Sequence, residues 1–142
     1  MNKNSKIWLE EAKWDLENAE ILFRNERYST AVFQSQQASE KAVKALLFFR
    51  NINGWGHSIS ELLLKYKEIT DRDIEEIFKY ALKLDKDYIP TRYPDSLPGI
   101  APHNAYTKEE AEKSIQKAKE IFSFIEREIE FFERADENEK EE

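Results

Sequence analysis

Apolar positions recur at helical spacing through most of the chain. Over the first 25 residues Trp8, Ala12, Leu16, Ala19 and Phe23 share one face, with Ile7 and Leu22 beside them. Glu10, Glu11, Lys13, Glu17 and Glu20 lie mainly opposite. Asn25-Glu26-Arg27 is a polar connection too short for anything but an antiparallel hairpin of helices. A second helix is predicted from about Tyr28 to about Arg50. One of its stripes, Tyr28, Val32, Ser35, Ala38, Ala42, Ala45 and Phe49, is small in the middle, where a neighbouring backbone can come close. Another, Phe33, Gln37, Glu40, Lys44, Leu47 and Asn51, turns polar in its middle on an otherwise strongly apolar helix. Glu40 and Lys44 stand one turn apart with the acid first, the favourable order for a helical ion pair.

The segment Asn51-Ile52-Asn53-Gly54-Trp55-Gly56 ends that helix, because Asn and Gly supply the left-handed positions of a C-terminal cap. Ser58 and Glu61 have the S-x-x-E spacing of a capping box and open a third helix carrying Leu62, Leu63 and Tyr66, so His57 sits just before its N-cap. Thr70 to Asp73 opens a fourth, with Ile74, Ile77, Phe78, Ala81, Leu82 and Asp85 on one side. The carboxylate pairs Asp71/Asp73 and Asp85/Asp87 fall near helix ends, where they complement the helix dipole. All 4 Pro lie between Pro90 and Pro102, a spacing no regular element tolerates, so a long loop is expected with Tyr88, Tyr93 and Tyr106 pinning it to the bundle. Thr107 and Glu110 form a second capping box for a last helix with Ala111, Ile115, Ala118, Phe122, Ile125, Ile129 and Phe132 along one face. The expected fold is all-α: an up-down bundle of four or five helices over residues 1–134, with an acidic, frayed tail over 135–142.

Composition narrows the chemistry. The absence of Cys excludes disulfide frameworks, zinc knuckles, iron–sulfur clusters and Cys nucleophiles. The two His lack companions at ligand spacing, so neither a metal nor any other cofactor is expected. Gly54-Trp55-Gly56 is the only G-x-G and follows a helix, which is no phosphate-binding loop. The longest apolar run, Ala45–Phe49, is far short of a membrane span, and the N-terminal residues carry no signal-peptide hydrophobic region, so a cytoplasmic protein without membrane association is expected. The net charge of −7 argues at face value against nucleic acid. Residues 126–142, however, hold nine acids against three bases, and the other 125 residues sum to only −1. What survives is narrower: any RNA contact should be local and confined to a cleft.

One spacing carries candidate chemistry. Arg50 ends the second helix and His57 precedes the third, with six residues between them, so the intervening loop can bring both to one small pocket. An imidazole can take the proton of a ribose 2′-OH or give one to a leaving 5′-oxygen. A guanidinium can hold the phosphate bidentately as charge grows on it. The pair also has a plain structural reading: Arg50 capping its own helix, His57 bonding a backbone carbonyl. Spacing alone does not choose between them.

The surroundings of that pair resemble a known family. Gln36-Gln37-Ala38-Ser39-Glu40-Lys41-Ala42-Val43-Lys44-Ala45-Leu46-Leu47, then His57 to Leu63, then Arg92-Tyr93-Pro94-Asp95 are similar to the HEPN domain, in its small stand-alone prokaryotic branch that carries the R-Y-P-D loop. Ala12, Asp15, Leu16 and Ala19 fit that family's A-x-x-D-L-x-x-A pattern, and the resemblance spans about residues 5 to 130. It implies a dimerising helical bundle and, in many members, a metal-independent ribonuclease whose R-x(4–6)-H signature falls here on Arg50 and His57, with Asn51 as the supporting polar residue. It further implies a toxin paired with a minimal nucleotidyltransferase antitoxin and acting on single-stranded RNA. The alternative it leaves is a non-catalytic, nucleotide-binding accessory partner of such a transferase. Gln37, Glu40, Lys44, Arg92 and Tyr93 match the branch pattern as nucleotide-binding or structural residues. Some antitoxins of the family modify a Tyr two residues after the motif His, a position held here by Ile59.

Overall fold

Asn2 caps helix α1 (Lys3–Arg24) through Oδ1, which accepts from the Ser5 N–H at 2.8 Å. Its Nδ2 donates to Phe48 O at 2.9 Å, tying the start of α1 to the end of α2 (Tyr28–Phe49) and closing the predicted antiparallel hairpin. The structure, a computed structural model, describes residues 1–88, 97 and 99–141. Arg92 and Tyr93, with most of the predicted Pro-rich loop, lie outside the described residues.

Helix α2 is the centre of the bundle, buried on nearly every side, as its lack of a wholly polar face requires. Ala12 and Ala19 of α1 and Ala38, Ala42 and Ala45 of α2 are at most 2% exposed, so the small-residue stripe admits a close neighbour. The hydroxyls of Ser35 and Ser39 donate one turn back along α2, to Ala31 O and Ser35 O, each at 2.9 Å. Asp15 and Lys41 pair across the hairpin at 2.7 Å.

A second hairpin follows, α3 (Ile59–Thr70) and α4 (Glu75–Asp85). Helix α4 begins later than the sequence pattern predicts. Asp71 takes a left-handed φ of 60° behind α3, and Asp73 accepts from the Glu75 N–H at 2.9 Å, so the intervening residues are a connection. A single turn, α5 (Pro102–Ala105), precedes α6 (Lys108–Glu141), which opens on the Thr107–Glu110 capping pair. Ala111 and Ile115 pack with Ala31 and Val32, while Ile125 and Ile129 pack with Leu46 and Leu47, so α6 runs parallel to α2. It continues as helix through the acidic stretch where a frayed tail is expected from sequence. Tyr106 does pin its segment, donating to Asp87 at 3.0 Å. Glu128 of α6 is 6% exposed and receives Tyr66 Oη at 2.7 Å and the Arg72 guanidinium at 2.9 and 2.8 Å, which locks the far end of α3 to α6. No helix among the described residues is long and apolar enough to cross a membrane.

The connection from α2 to α3 sets up the site. Arg50 follows the end of α2, yet His57 reaches Glu40, about 15 Å back along that helix at 1.5 Å per residue. Residues 51–57 therefore double back, and α3 starts beside the middle of α2.

Candidate functional site

The doubling back is written into the loop's residues. Asn51 takes φ 59°, turning the chain out of α2, and Ile52 donates to Leu47 O at 2.8 Å. Asn53 Oδ1 accepts from the Trp55 N–H at 2.9 Å, and Lys65 Nζ donates to Asn53 O at 2.7 Å. A β-carbon at position 54 would fall 3.2 Å from Phe48 Cζ and 3.4 Å from Lys44 Cγ, so Gly54 lets the chain lie against α2. Gly56 has φ +106°, a conformation that side chains rarely adopt.

His57 follows immediately. Its Nδ1 lies 3.4 Å from Glu40 Oε2 and its ring stacks on Tyr88, centroids 5.3 Å apart at 17°. Glu40 is 4% exposed. Lys44 Nζ reaches the same Oε2 at 3.2 Å, and Gln36 Nε2 donates to Oε1 at 3.3 Å. Gln37 Nε2 in turn donates to Gln36 Oε1 at 2.6 Å. One buried carboxylate thus anchors an ammonium and an imidazole. From the other side Asp85 caps α3: its Oδ1 accepts from the Ile59 N–H at 2.7 Å, and its Oδ2 from the Ser60 N–H at 3.1 Å and the Ser58 and Ser60 hydroxyls at 2.9 and 2.6 Å. Ser58 also caps as the sequence predicts, accepting from the Glu61 N–H at 3.2 Å.

Arg50 faces elsewhere. Its guanidinium lies 3.9 Å from the Phe132 ring centroid and 3.8 Å from Asp136 Oδ2, both on α6. The pocket beside His57, about 340 Å³, is lined by Trp8, Lys44, Phe48, Asn53, Gly54, Trp55 and Gly56, and Arg50 is not among its walls. Within one chain, then, the expected shared Arg50–His57 pocket does not form. Asn51 lines a separate cleft with Asn2, Lys3, Asn4 and Phe48. Of the remaining sequence-predicted residues, Gln37, Glu40 and Lys44 are brought into one hydrogen-bonded chain that ends at His57.

Sequence reasoning missed Gln36, Trp8, Trp55 and Tyr88 as members of this site, and it gave Asp85 only a dipole role. Gln36 had a signal, standing one turn before Glu40 on the same face. Trp8 and Tyr88 had none, since only tertiary packing brings them here.

The chain matches the family model of the HEPN domain over residues 5–129. It is 32% identical over 133 residues to a Methanocaldococcus jannaschii protein described as a putative toxin, covering 87% of this chain and 86% of that one. A Thermus thermophilus protein of solved structure superposes with a TM-score of 0.84 at 39% identity, covering 90% of this chain and 99% of the other. An archaeal HEPN homologue gives 0.75 at 39% identity, with 91% and 99% covered. A Thermotoga maritima HEPN domain protein gives 0.67 at 35% identity, with 84% and 94% covered. With the helical bundle and the Arg50–His57 segment in place, the chain belongs to the HEPN domain family.

Proposed function

We propose that this protein is a metal-independent endoribonuclease of the cytoplasm, the toxin of a pair whose antitoxin is a minimal nucleotidyltransferase, and that it works as a homodimer. The observation that carries the reading is the setting of His57: Nδ1 against a buried carboxylate, two thirds of the side chain exposed, at the mouth of a pocket. Glu40 fixes the ring, which leaves Nε2 to meet a substrate. Nε2 takes the proton of a ribose 2′-OH, the 2′-oxygen attacks phosphorus, and the P–O5′ bond breaks as the 5′-oxygen takes a proton from water, to which the His57 imidazolium then gives up its own. The products are a 2′,3′-cyclic phosphate and a 5′-hydroxyl end. Arg50 holds the non-bridging oxygens as charge builds on them. Since Arg50 faces α6 and His57 faces mid-α2, the complete pair is assembled from two copies, Arg50 of one against His57 of the other. The likeness to a protein described as a putative toxin supports the toxin role.

The test is cleavage of single-stranded RNA in EDTA by wild type, Arg50→Ala and His57→Ala, followed by the two variants mixed. Wild type cuts, each variant alone does not, and the mixture recovers activity because one mixed site keeps both groups. Equal cutting by His57→Ala sinks the catalytic reading, and a mixture that stays dead sinks the two-copy assembly. Nucleotide binding with no cleavage by wild type would favour an accessory role beside the transferase.

A further inference from the structure

The pocket beside His57 holds more than the catalytic reading uses. Its floor is aromatic: the Trp8 and Phe48 rings lie 5.5 Å apart at 47°. Beside it Lys44 Nζ stands 5.5 Å from the Trp8 centroid, ion-paired with the same Glu40 carboxylate that meets His57. At its rim stands Trp55, 87% exposed. Lone exposed apolar residues are ordinary on protein surfaces. This one differs in its support. Gly54 lies tight against Phe48 and Lys44, and Asn53 holds the Trp55 N–H, so the backbone is pinned while the indole is left in water. A pinned loop that presents a bare indole beside aromatic walls and a cation is a stacking platform.

We infer that this pocket seats an unpaired nucleobase, stacked on Trp55 above Trp8 and Phe48, with its phosphate directed to Lys44 and His57. The volume, about 340 Å³, is at the small end of ligand cavities and suits one base. A base inside a duplex has both faces covered by its neighbours and cannot enter, so the site selects single strands or free nucleotides. Stacking accepts any base, so the site contributes affinity and register with little sequence preference. The inference rests on the ribonuclease reading only for what the bound base belongs to. In that reading the pocket is a subsite that places the phosphate next to the base at His57. Without it, the same pocket is a mononucleotide site.

The experiment is equilibrium binding, read by indole fluorescence and by anisotropy of a labelled probe. The probes are a single-stranded oligoribonucleotide with every 2′-OH methylated, the same oligomer made abasic, and AMP. Methylation caps the attacking 2′-oxygen, so no probe is cut and a change in cleavage cannot masquerade as a change in binding. The proteins are wild type, Trp55→Phe and Trp55→Ala, with circular dichroism melts to show that all three fold. Wild type should bind the base-bearing oligomer at least tenfold tighter than the abasic one. Trp55→Ala should lose about tenfold and Trp55→Phe much less, since one stacked base is worth a factor of that order. If AMP shows the same Trp55 dependence and binds as tightly as the oligomer, the occupant is a mononucleotide; if only the oligomer binds, it is a base within a strand. Equal affinity of wild type for base-bearing and abasic probes, equal affinity of Trp55→Ala and wild type, or no binding to any probe overturns the inference.

Discussion

The imidazole of His57 and the carboxylate of Glu40 lie 3.4 Å apart across 17 residues of sequence, one on a returning loop and the other inside the central helix. Glu40 also holds Lys44, so its removal should strand a cation that is only 8% exposed together with the Gln36 amide. Breaking a buried pair from one side costs about 3 kcal/mol. Glu40→Ala should therefore lower the urea midpoint strongly. Glu40→Met combined with Lys44→Met should recover most of the loss, because replacing both partners removes the stranded charge. A double variant as unstable as the single one would show that the pair is not what Glu40 contributes.

Asp85 carries four hydrogen bonds at the start of α3, next to His57. Asp85→Ala leaves two backbone N–H groups without that acceptor and should cost about 2 kcal/mol, the upper end for a lost helix cap. Asp85→Asn retains one carbonyl acceptor and should cost about half as much. Both are measured by thermal unfolding. Hydrogen exchange should show the loss concentrated at the start of α3, and a loss spread evenly over the chain would contradict a capping role.

The elements that sequence reveals are those fixed by local rules. The α1–α2 hairpin, the Ser58 and Thr107 caps and the face of α6 follow from residues within one or two turns of each other. The site was legible only in part, because its assembly is tertiary. The return of residues 51–57 depends on Gly54 meeting Phe48 and Lys44, and spacing counts residues without giving direction. That is why Arg50 and His57, close in sequence, face α6 and mid-α2 respectively. At the acidic end the Glu, Lys and Ala are strong helix formers as well as solvated residues, and α6 extends through them.

Glu128 ties α3 and α6 together in a pH-dependent way. Burial pushes its carboxyl up, but hydrogen bonds from Arg72 and Tyr66 outweigh this and hold it below the ordinary glutamate value of 4.5. A depressed folded value means stability that is present in full above pH 4.5 and is lost as pH falls through the folded value. Glu128→Gln should cost about 2 kcal/mol at pH 7. The gap from wild type should close as pH falls below the ordinary glutamate range. Asp87 has the opposite sign: burial raises its carboxyl despite the Tyr106 hydroxyl, so its share of stability is fullest at low pH and fades as pH rises through its folded value. Urea midpoints for both proteins between pH 3 and pH 7 separate the two, since Asp87 is common to both. A gap that stays constant over the range would refute the Glu128 assignment.

Arg50 has a resident carboxylate that an RNA phosphate would have to displace. Its pair with Asp136 is loose, 3.8 Å between side chains that are both partly exposed, so Asp136→Asn should change stability by less than about 1 kcal/mol. If Arg50 binds the scissile phosphate, the same substitution should lower the KM for RNA about threefold at low salt, an effect of the size one screened surface charge exerts. At 1 M salt, where the Debye length is about 3 Å, the difference should vanish. Arg50→Lys keeps the charge but loses the planar stack on Phe132 and the bidentate grip, and should cut kcat about a hundredfold. These changes separate two roles for the residue. A KM that does not move in Asp136→Asn, together with full turnover by Arg50→Lys, would leave Arg50 as no more than the clamp between the end of α2 and α6.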